Sequence, residues 1–502
     1  MESTTLTLLL GALVLLVLYM LKKYTYWQRR GITVASGFIP FLGHTWPIYC
    51  LRMSLQELFE RICTEQKNRS MFGIYDMFTP ALVLREAALV KTVLQGSFTS
   101  FHRNGFQISK DQDPLLYYSP FFNEGQEWMT GRKRLTYAFS GLRLKVMFSA
   151  VSGVSRKMQD YLERRMKTTN KYETEMKSFF GRFTAETVAN AGMGVEGYSF
   201  DENPPPDSFH DIGTQIFNPM FLLAILNNLV LLKPGIAKVL KLSFLPRNVD
   251  RFFRNFVDEN LELRVKNTVP RNDFFQVMVD FEKEQSEKLN KEVITSHALT
   301  FFFDGFETSR LTLSFITYQL AIHQDVQQKV RDEIKSVIAK YDGVLTYDAL
   351  KDLKYMEQVM NEAQRCHSAL VFLRKECTEE FVLEGSDGLR FRVEPGTQVL
   401  IPVEAIHHDP TYWKDPMVFD PERFSEENKP NIEKMSFIPF GEGPRMCVGM
   451  RMAILVMKSC LATLLNDYKI ELSPKTKVPL RWSPCHFLCE PRDGIWMNIT
   501  KL

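Results

Sequence analysis

The 502-residue chain contains no C-x-x-C pair. Its eight cysteines, at 50, 63, 366, 377, 447, 460, 485 and 489, are scattered. That spacing excludes a dense disulfide framework and fits a reducing compartment. Cys485, His486 and Cys489 lie near one another, but their spacing matches no zinc pattern, and packing is the plainer reading. Charge of one sign is also lacking. A net charge of +3 gives no reason to expect nucleic acid as a partner, and any basic interaction surface must be local. No Ser/Gly-rich linker, repeat or low-complexity tract divides the chain. One large domain is therefore expected, although length alone would allow about three. No G-x-G-x-x-G opens a helix, so the chain carries no nicotinamide or flavin fingerprint of its own.

What is present begins with a run from Leu6 to Leu21 that is uncharged and rich in Leu and Val, extended by Ser3 to Thr5. It is slightly short of the roughly 20 residues that span a bilayer. Glu2 precedes it, and Lys22, Lys23, Arg29 and Arg30 follow it. A cleaved signal peptide carries its positive charge on the other side of the apolar run. A retained signal anchor over residues 1–24 is expected, with the rest of the chain on the cytosolic side by the positive-inside rule. Residues 25–45, with Gly31, Gly37, Pro40 and Gly43, read as a basic, turn-rich hinge, and residues 46–502 as the domain proper.

Periodicity predicts helices over 54–64, 179–195, 326–339, 354–369 and 449–465, and a strand then a helix over 82–94. The longest predicted helix runs from Glu292 to His323, where Gly305 signals a kink or a close approach. Strands are expected around 391–401, and a hairpin turning near Pro484 over 478–493. Phe217 to Leu232 is strongly apolar, either a core segment or a surface dipping into a bilayer.

Four short patterns carry chemistry. Phe440 to Gly449 places Gly441, Gly443, Arg445 and Cys447 in a turn-rich loop before a helix. A helix N-terminus favours a thiolate, and haem iron is the known taker of a lone protein thiolate. For Cys447 alone, a buried cysteine in a glycine-rich loop is the alternative. Trp128 and Arg132, at i and i+4, share a helix face. Glu307 and Thr308 beside Gly305 offer a titratable group and a hydroxyl for proton transfer, or a threonine bonded back to its own turn. Glu362 and Arg365 form an i,i+3 pair, with Asp420-Pro-Glu-Arg423-Phe424 downstream.

In this order the patterns resemble the cytochrome P450 family across essentially the whole chain. The cysteine loop is the specific one. Trp27-Gln-Arg-Arg-Gly31 and Asp304-Gly-Phe-Glu-Thr-Ser309 look most like insect microsomal, detoxification-type members. The resemblance implies a mainly α fold with smaller β regions, a single large triangular haem domain behind an N-terminal transmembrane anchor. It implies a haem-thiolate monooxygenase that inserts one atom of O2 into a hydrophobic small molecule, a xenobiotic or an endogenous lipid or hormone. Haem b is the implied cofactor, with Cys447 as axial iron ligand and Trp128, Arg132, Gly305, Arg374, Phe440, Gly441, Arg445 and Gly449 around it. Thr308 and Glu307 are the implied proton-delivering pair, and Glu362, Arg365 and Arg423 a structural triad. NADPH and flavins act only through a partner, NADPH–cytochrome P450 reductase, with cytochrome b5 as a possible helper. Membrane lipid is a further implied partner, and the endoplasmic reticulum membrane the implied location. Two departures stand out: Asp304 where the family usually has Ala or Gly, and His367-Ser368-Ala369-Leu370 where prolines are common. Two other readings stay open. One is a thiolate-haem isomerase or dehydratase of oxygenated lipids, against which Thr308 counts. The other is a non-catalytic haem-binding protein.

Overall fold

The computed structural model describes residues 2–266, 272–285 and 290–502. Met1 of the expected anchor lies outside them. The fold is mostly helical. Ten short strands, β1 to β10 in chain order, form three small sheets. In the largest, β1 (Met71–Asp76) and β2 (Thr79–Leu84) form a hairpin, and β2 runs parallel to β8 (Gln398–Pro402). β8 pairs antiparallel with β5 (Phe372–Glu376), and β5 with β3 (Arg103–Asn104). β10 (Trp496–Lys501) lies between β4 (Lys171–Glu175) and β9 (Tyr468–Leu472), and β6 (Phe381–Glu384) pairs with β7 (Arg390–Val393).

The helix Lys291–Ile322 runs through the middle, 32 residues long. Asn290 caps its start by accepting from the Val293 amide. It packs against the helices Met176–Thr187, Arg247–Lys266, Lys354–Cys366 and Met450–Asp467. Enclosed on most sides, it is apolar almost all round and has no single hydrophobic stripe. Several of its threonines and serines satisfy themselves locally. Thr295, Thr312, Ser314 and Thr317 each donate to the carbonyl four residues back. The helix is continuous through Gly305, where an added Cβ would meet only Val188, at 3.6 Å. The expected close approach is therefore absent within the protein, and the position opens onto a cavity.

Other expectations shift in detail. The segment Phe217–Leu232 is broken at Asn218-Pro219 into the end of one helix, Phe209–Phe217, and a second, Phe221–Leu232, bent by 77°. Phe217 is buried, whereas Met220, Phe221 and Leu222 are exposed. The helix Lys354–Cys366 stops earlier than expected because His367 turns extended. The hairpin expected over 478–493 is only a single bridge, Trp482 to Pro491. The helix Glu2–Tyr24 is long and apolar enough to cross a membrane over Thr5–Tyr24. Beyond it the hinge is docked rather than free. Trp27 is fully buried, donates from Nε1 to the Ile74 carbonyl, and lies flat on Gly73, where a Cβ would collide with its ring at 2.5 Å.

Glu362, Arg365 and Arg423 meet in the interior. Arg365 holds Glu362 with two hydrogen bonds, 2.7 and 2.8 Å, and also donates to the carbonyls of His407, Pro416 and Val418. Arg423 approaches the same carboxylate at 3.4 Å, and the Asp420 amide donates to it at 2.9 Å. The triad thus ties the helix Lys354–Cys366 to the segment that leads into the cysteine loop. Removing one member leaves a buried charge uncompensated. Glu362→Ala is expected to lower the unfolding free energy by about 3–5 kcal/mol, measured by denaturant titration. A loss under about 1 kcal/mol, typical of an exposed pair, would place the triad outside the folding core.

Candidate active site

The cysteine loop is built by close contact. Gly443 sits at φ +77°, a backbone state that disfavours side chains, and its missing Cβ would lie 2.0 Å from the Leu94 carbonyl oxygen. Only glycine lets the loop press against that turn. The Cys447 amide donates to the Phe440 carbonyl at 2.8 Å, closing the loop ahead of the helix Met450–Asp467. Cys447 is exposed, but to an internal cavity. Among the described residues it is the only cysteine in that cavity's lining. The opposite wall is the central helix, with Thr300, Asp304, Gly305, Thr308 and Thr312. The rest is mainly apolar, with phenylalanines from several elements, including Phe106, Phe139, Phe217, Phe303 and Phe487, prominent in it.

The thiol does not ionise on protein contacts alone. Burial pushes the Cys447 pKa up to about 11, Asp304 adds to this, and the amides of Gly449 and Met450 and the Arg132 guanidinium only partly offset it. The amides at the helix start favour the thiolate, as expected, but burial outweighs them, and a cation at the sulfur has to supply the difference.

At the rim, three basic side chains gather. Arg132 donates to the Met446 carbonyl at 2.5 Å. Arg445 lies 4.4 Å over the Trp128 ring and donates to the carbonyls of His102, Pro120 and Asn123. Lys375 is buried and donates to Asn104 at 2.7 Å. Burial lowers all three. Arg445 falls to about 10, pulled further by Arg132, and Lys375 to about 7, pulled further by Arg445. Cations depressed by burial and by one another call for an anion. Arg374, the residue expected here, stands elsewhere. Neighbouring residues of a strand point to opposite faces. On β5, Arg374 turns to Gln398, at 2.9 Å, and to the Leu232 carbonyl, at 3.2 Å. Lys375 instead donates to Asn104, which lines the cavity, and lies near enough to Arg445 to be lowered by its charge. The sequence signal was the adjacent pair of basic residues, whose parity on the strand was not legible without its register.

The proton-transfer pair is also differently engaged. Thr308 donates from Oγ1 to the Asp304 carbonyl at 2.6 Å, the back-bonded arrangement, while its hydroxyl oxygen remains open to the cavity. Glu307 is fully buried. Arg310 binds it in an i,i+3 pair, and its Oε1 lies 3.3 Å from Lys177 Nζ and 3.6 Å from His486 Nε2. Burial pushes this carboxyl up, but Arg310, Lys177 and His486 outweigh it and hold it below the ordinary range. Lys177 in turn pairs with Glu490 and lines a polar cleft on the far side with Ser483, Cys485 and Arg492. Sequence reasoning missed His486 and Lys177, which approach Glu307 only through tertiary folding.

Haem b fits this donor set: one sulfur on the wall of a largely apolar chamber, and basic side chains at its rim that stay depressed by burial although Glu124 partly offsets it at Arg445. Among the described residues no group of three or more His, Cys, Asp or Glu side chains offers another metal site.

The comparisons agree. The family model described as Cytochrome P450 matches residues 36–496. The chain is 33% identical over 503 residues to Probable cytochrome P450 6a19 of Drosophila melanogaster, covering 99% of this chain and 98% of that one. It is 30% identical over 486 residues to Cytochrome P450 6j1 of Blattella germanica, covering 97% and 95%, and 28% identical over 531 residues to Cytochrome P450 9e2 of the same organism. The chain belongs to the cytochrome P450 family, and with it is a haem b monooxygenase.

Proposed function

We propose that this enzyme inserts one atom of O2 into a hydrophobic small molecule, with electrons passed from NADPH by a separate reductase and cytochrome b5 as an auxiliary donor. The observation that carries the reading is the Cys447 thiol set across an apolar cavity from the Thr308 face of the central helix. When bound, the haem supplies the oxygen-activating chemistry, with the cysteine ligand favouring O–O cleavage. The protein's own part is positional. Cys447 takes the iron through its sulfur. Arg132, Arg445 and Lys375 neutralise the carboxylates of the haem edge, with Trp128 stacked beneath Arg445. Phe440, Gly441 and Gly449 keep the loop low enough for a flat ligand. Thr308 holds a proton at Oγ1, which turns from the Asp304 carbonyl into the cavity by rotation about the Cβ–Oγ1 bond's axis. Glu307 lines the cavity and touches Lys177, which lines the polar cleft, and His486; as an ionised carboxylate it relays protons drawn from that side toward Thr308.

We assign the helix Glu2–Tyr24 to the endoplasmic reticulum membrane as an anchor, with the domain on the cytosolic face. Met220, Phe221, Leu222, Val239 and Leu240 are exposed. Together they form a surface suited to lipid contact, which would admit apolar substrates. An isomerase or dehydratase would need no Thr308 hydroxyl and no reductase.

The haem-loaded protein is expected to give the thiolate-type reduced-CO spectrum and NADPH-dependent oxygenation with reductase. Loss of turnover when reductase is withheld separates it from an isomerase, and the absence of bound haem would overturn the assignment. Thr308→Val is expected to cut product formed per NADPH by about a hundredfold, the low end of the range for a lost proton-transfer group, read as peroxide released against product.

Lys375→Met is expected to weaken haem retention, measured by transfer to apomyoglobin, while Arg374→Met leaves it within about twofold. In the haem-free protein, Lys375 has its folded pKa depressed, to about 7. The unfolded state therefore binds more protons from pH 7 up to the ordinary lysine range, and stability contributed by this group rises with pH across that window. Parallel pH–stability profiles for wild type and Lys375→Met would refute the shift.

A further inference from the structure

Four charged side chains line the cavity among the described residues: Arg132, Asp304, Glu307 and Arg445. Three are tied to protein partners, the arginines to backbone carbonyls and Glu307 to Arg310, Lys177 and His486. Asp304 is not. Its backbone carbonyl accepts from Thr308, but among the described residues its carboxylate has neither a hydrogen bond nor an ion pair. It faces the cavity, and burial raises its pKa to about 7. The space it opens into is lined mainly by apolar side chains, phenylalanine prominent among them.

A carboxylate kept dry and unpaired is costly, and a ligand that compensates it gains what a neutral ligand of equal shape forgoes. An ammonium group brings the opposite charge. The ring faces nearby add attraction for a cation. A carboxylate-bearing ligand would meet like charge and be rejected. We propose, resting on the monooxygenase reading of this cavity, that Asp304 is a specificity-determining residue which selects substrates carrying a basic nitrogen on an apolar frame.

The test is calorimetric titration of the haem-loaded protein with a matched series: a phenylalkyl trimethylammonium ion, its neutral tert-butyl analogue and the corresponding carboxylate. The quaternary nitrogen has no lone pair and cannot ligate iron. Wild type is expected to bind the cation about tenfold or more tighter than the neutral analogue, and the carboxylate weakest. In Asp304→Asn the cation's advantage is expected to fall within about twofold while the neutral analogue binds as before. Equal wild-type affinities, or an advantage that survives Asp304→Asn, would overturn the proposal. Should that variant not fold, the wild-type order alone decides. A reduced-CO spectrum of the same samples keeps the two readings apart. A missing thiolate band removes the monooxygenase assignment, whereas only the calorimetric order bears on Asp304.

Discussion

The way charge is neutralised out of reach of water is the constraint on which the rest of this structure depends. Three carboxylates show three solutions. Glu362 is fully buried and held by two arginines and a backbone amide, so it fixes one element to another. Glu307 is equally buried, but its partners converge from the central helix, from Lys177 at the start of the helix Met176–Thr187, and from His486 in the C-terminal loop. It therefore gathers three parts of the chain around one wall of the cavity. Asp304, one turn before Thr308, has no partner at all. The same chemical group is structural, relay-like or ligand-directed according to what faces it.

The opposite imbalance exists at the rim. Arg132, Arg445 and Lys375 are all lowered by burial, and the Glu124 carboxylate only partly restores Arg445. On the wall below, the Cys447 thiol is held protonated by burial and by Asp304. Each of these groups is less favourable in the protein by itself than with a ligand that brings two carboxylates and a metal cation. A group that binds the folded state alone stabilises it by mass action. The protein is therefore shaped around a charge distribution that its cofactor completes, and the cofactor contributes to folding as well as to chemistry.

Much of this was legible in the sequence, because the motifs are local. The cysteine loop reads from its glycines, and Gly443 shows why: the turn brings it against a carbonyl where no side chain fits. The Glu362–Arg365 pair and the Arg423 segment read from their order along the chain. What was not legible depends on register or on distant packing. Arg374 and Lys375 are adjacent, and a one-residue difference on a strand exchanges the two faces. Only the pairing of β5 with β8 and β3 shows that Lys375 faces Asn104 and Arg445. The apolar stretch from Phe217 to Leu232 reads as one segment in composition, yet Asn218-Pro219 divides it into a buried end and an exposed start. His486 approaches Glu307 across some 180 residues of chain, with nothing local to mark it.

The central helix joins these themes. Thr300, Asp304, Thr308 and Thr312 recur every four residues and all line the cavity. At 1.5 Å of rise per residue they are spaced by about 6 Å along one stripe. Thr308 and Thr312 satisfy their own donors by bonding back along the helix. That bonding leaves them as acceptors toward the cavity without the cost of an unpaired donor. Thr300 and Asp304 lack that internal satisfaction and carry the unmet demand of the stripe. On the proposed reading, the apolar walls would hold a substrate in many orientations, whereas a cationic group on it would have one preferred height along the helix, next to Asp304 and one turn from Thr308. The carboxylate at position 304 would then act on orientation as well as on affinity, because it would set the substrate's cation beside the hydroxyl to which the proton transfer is assigned.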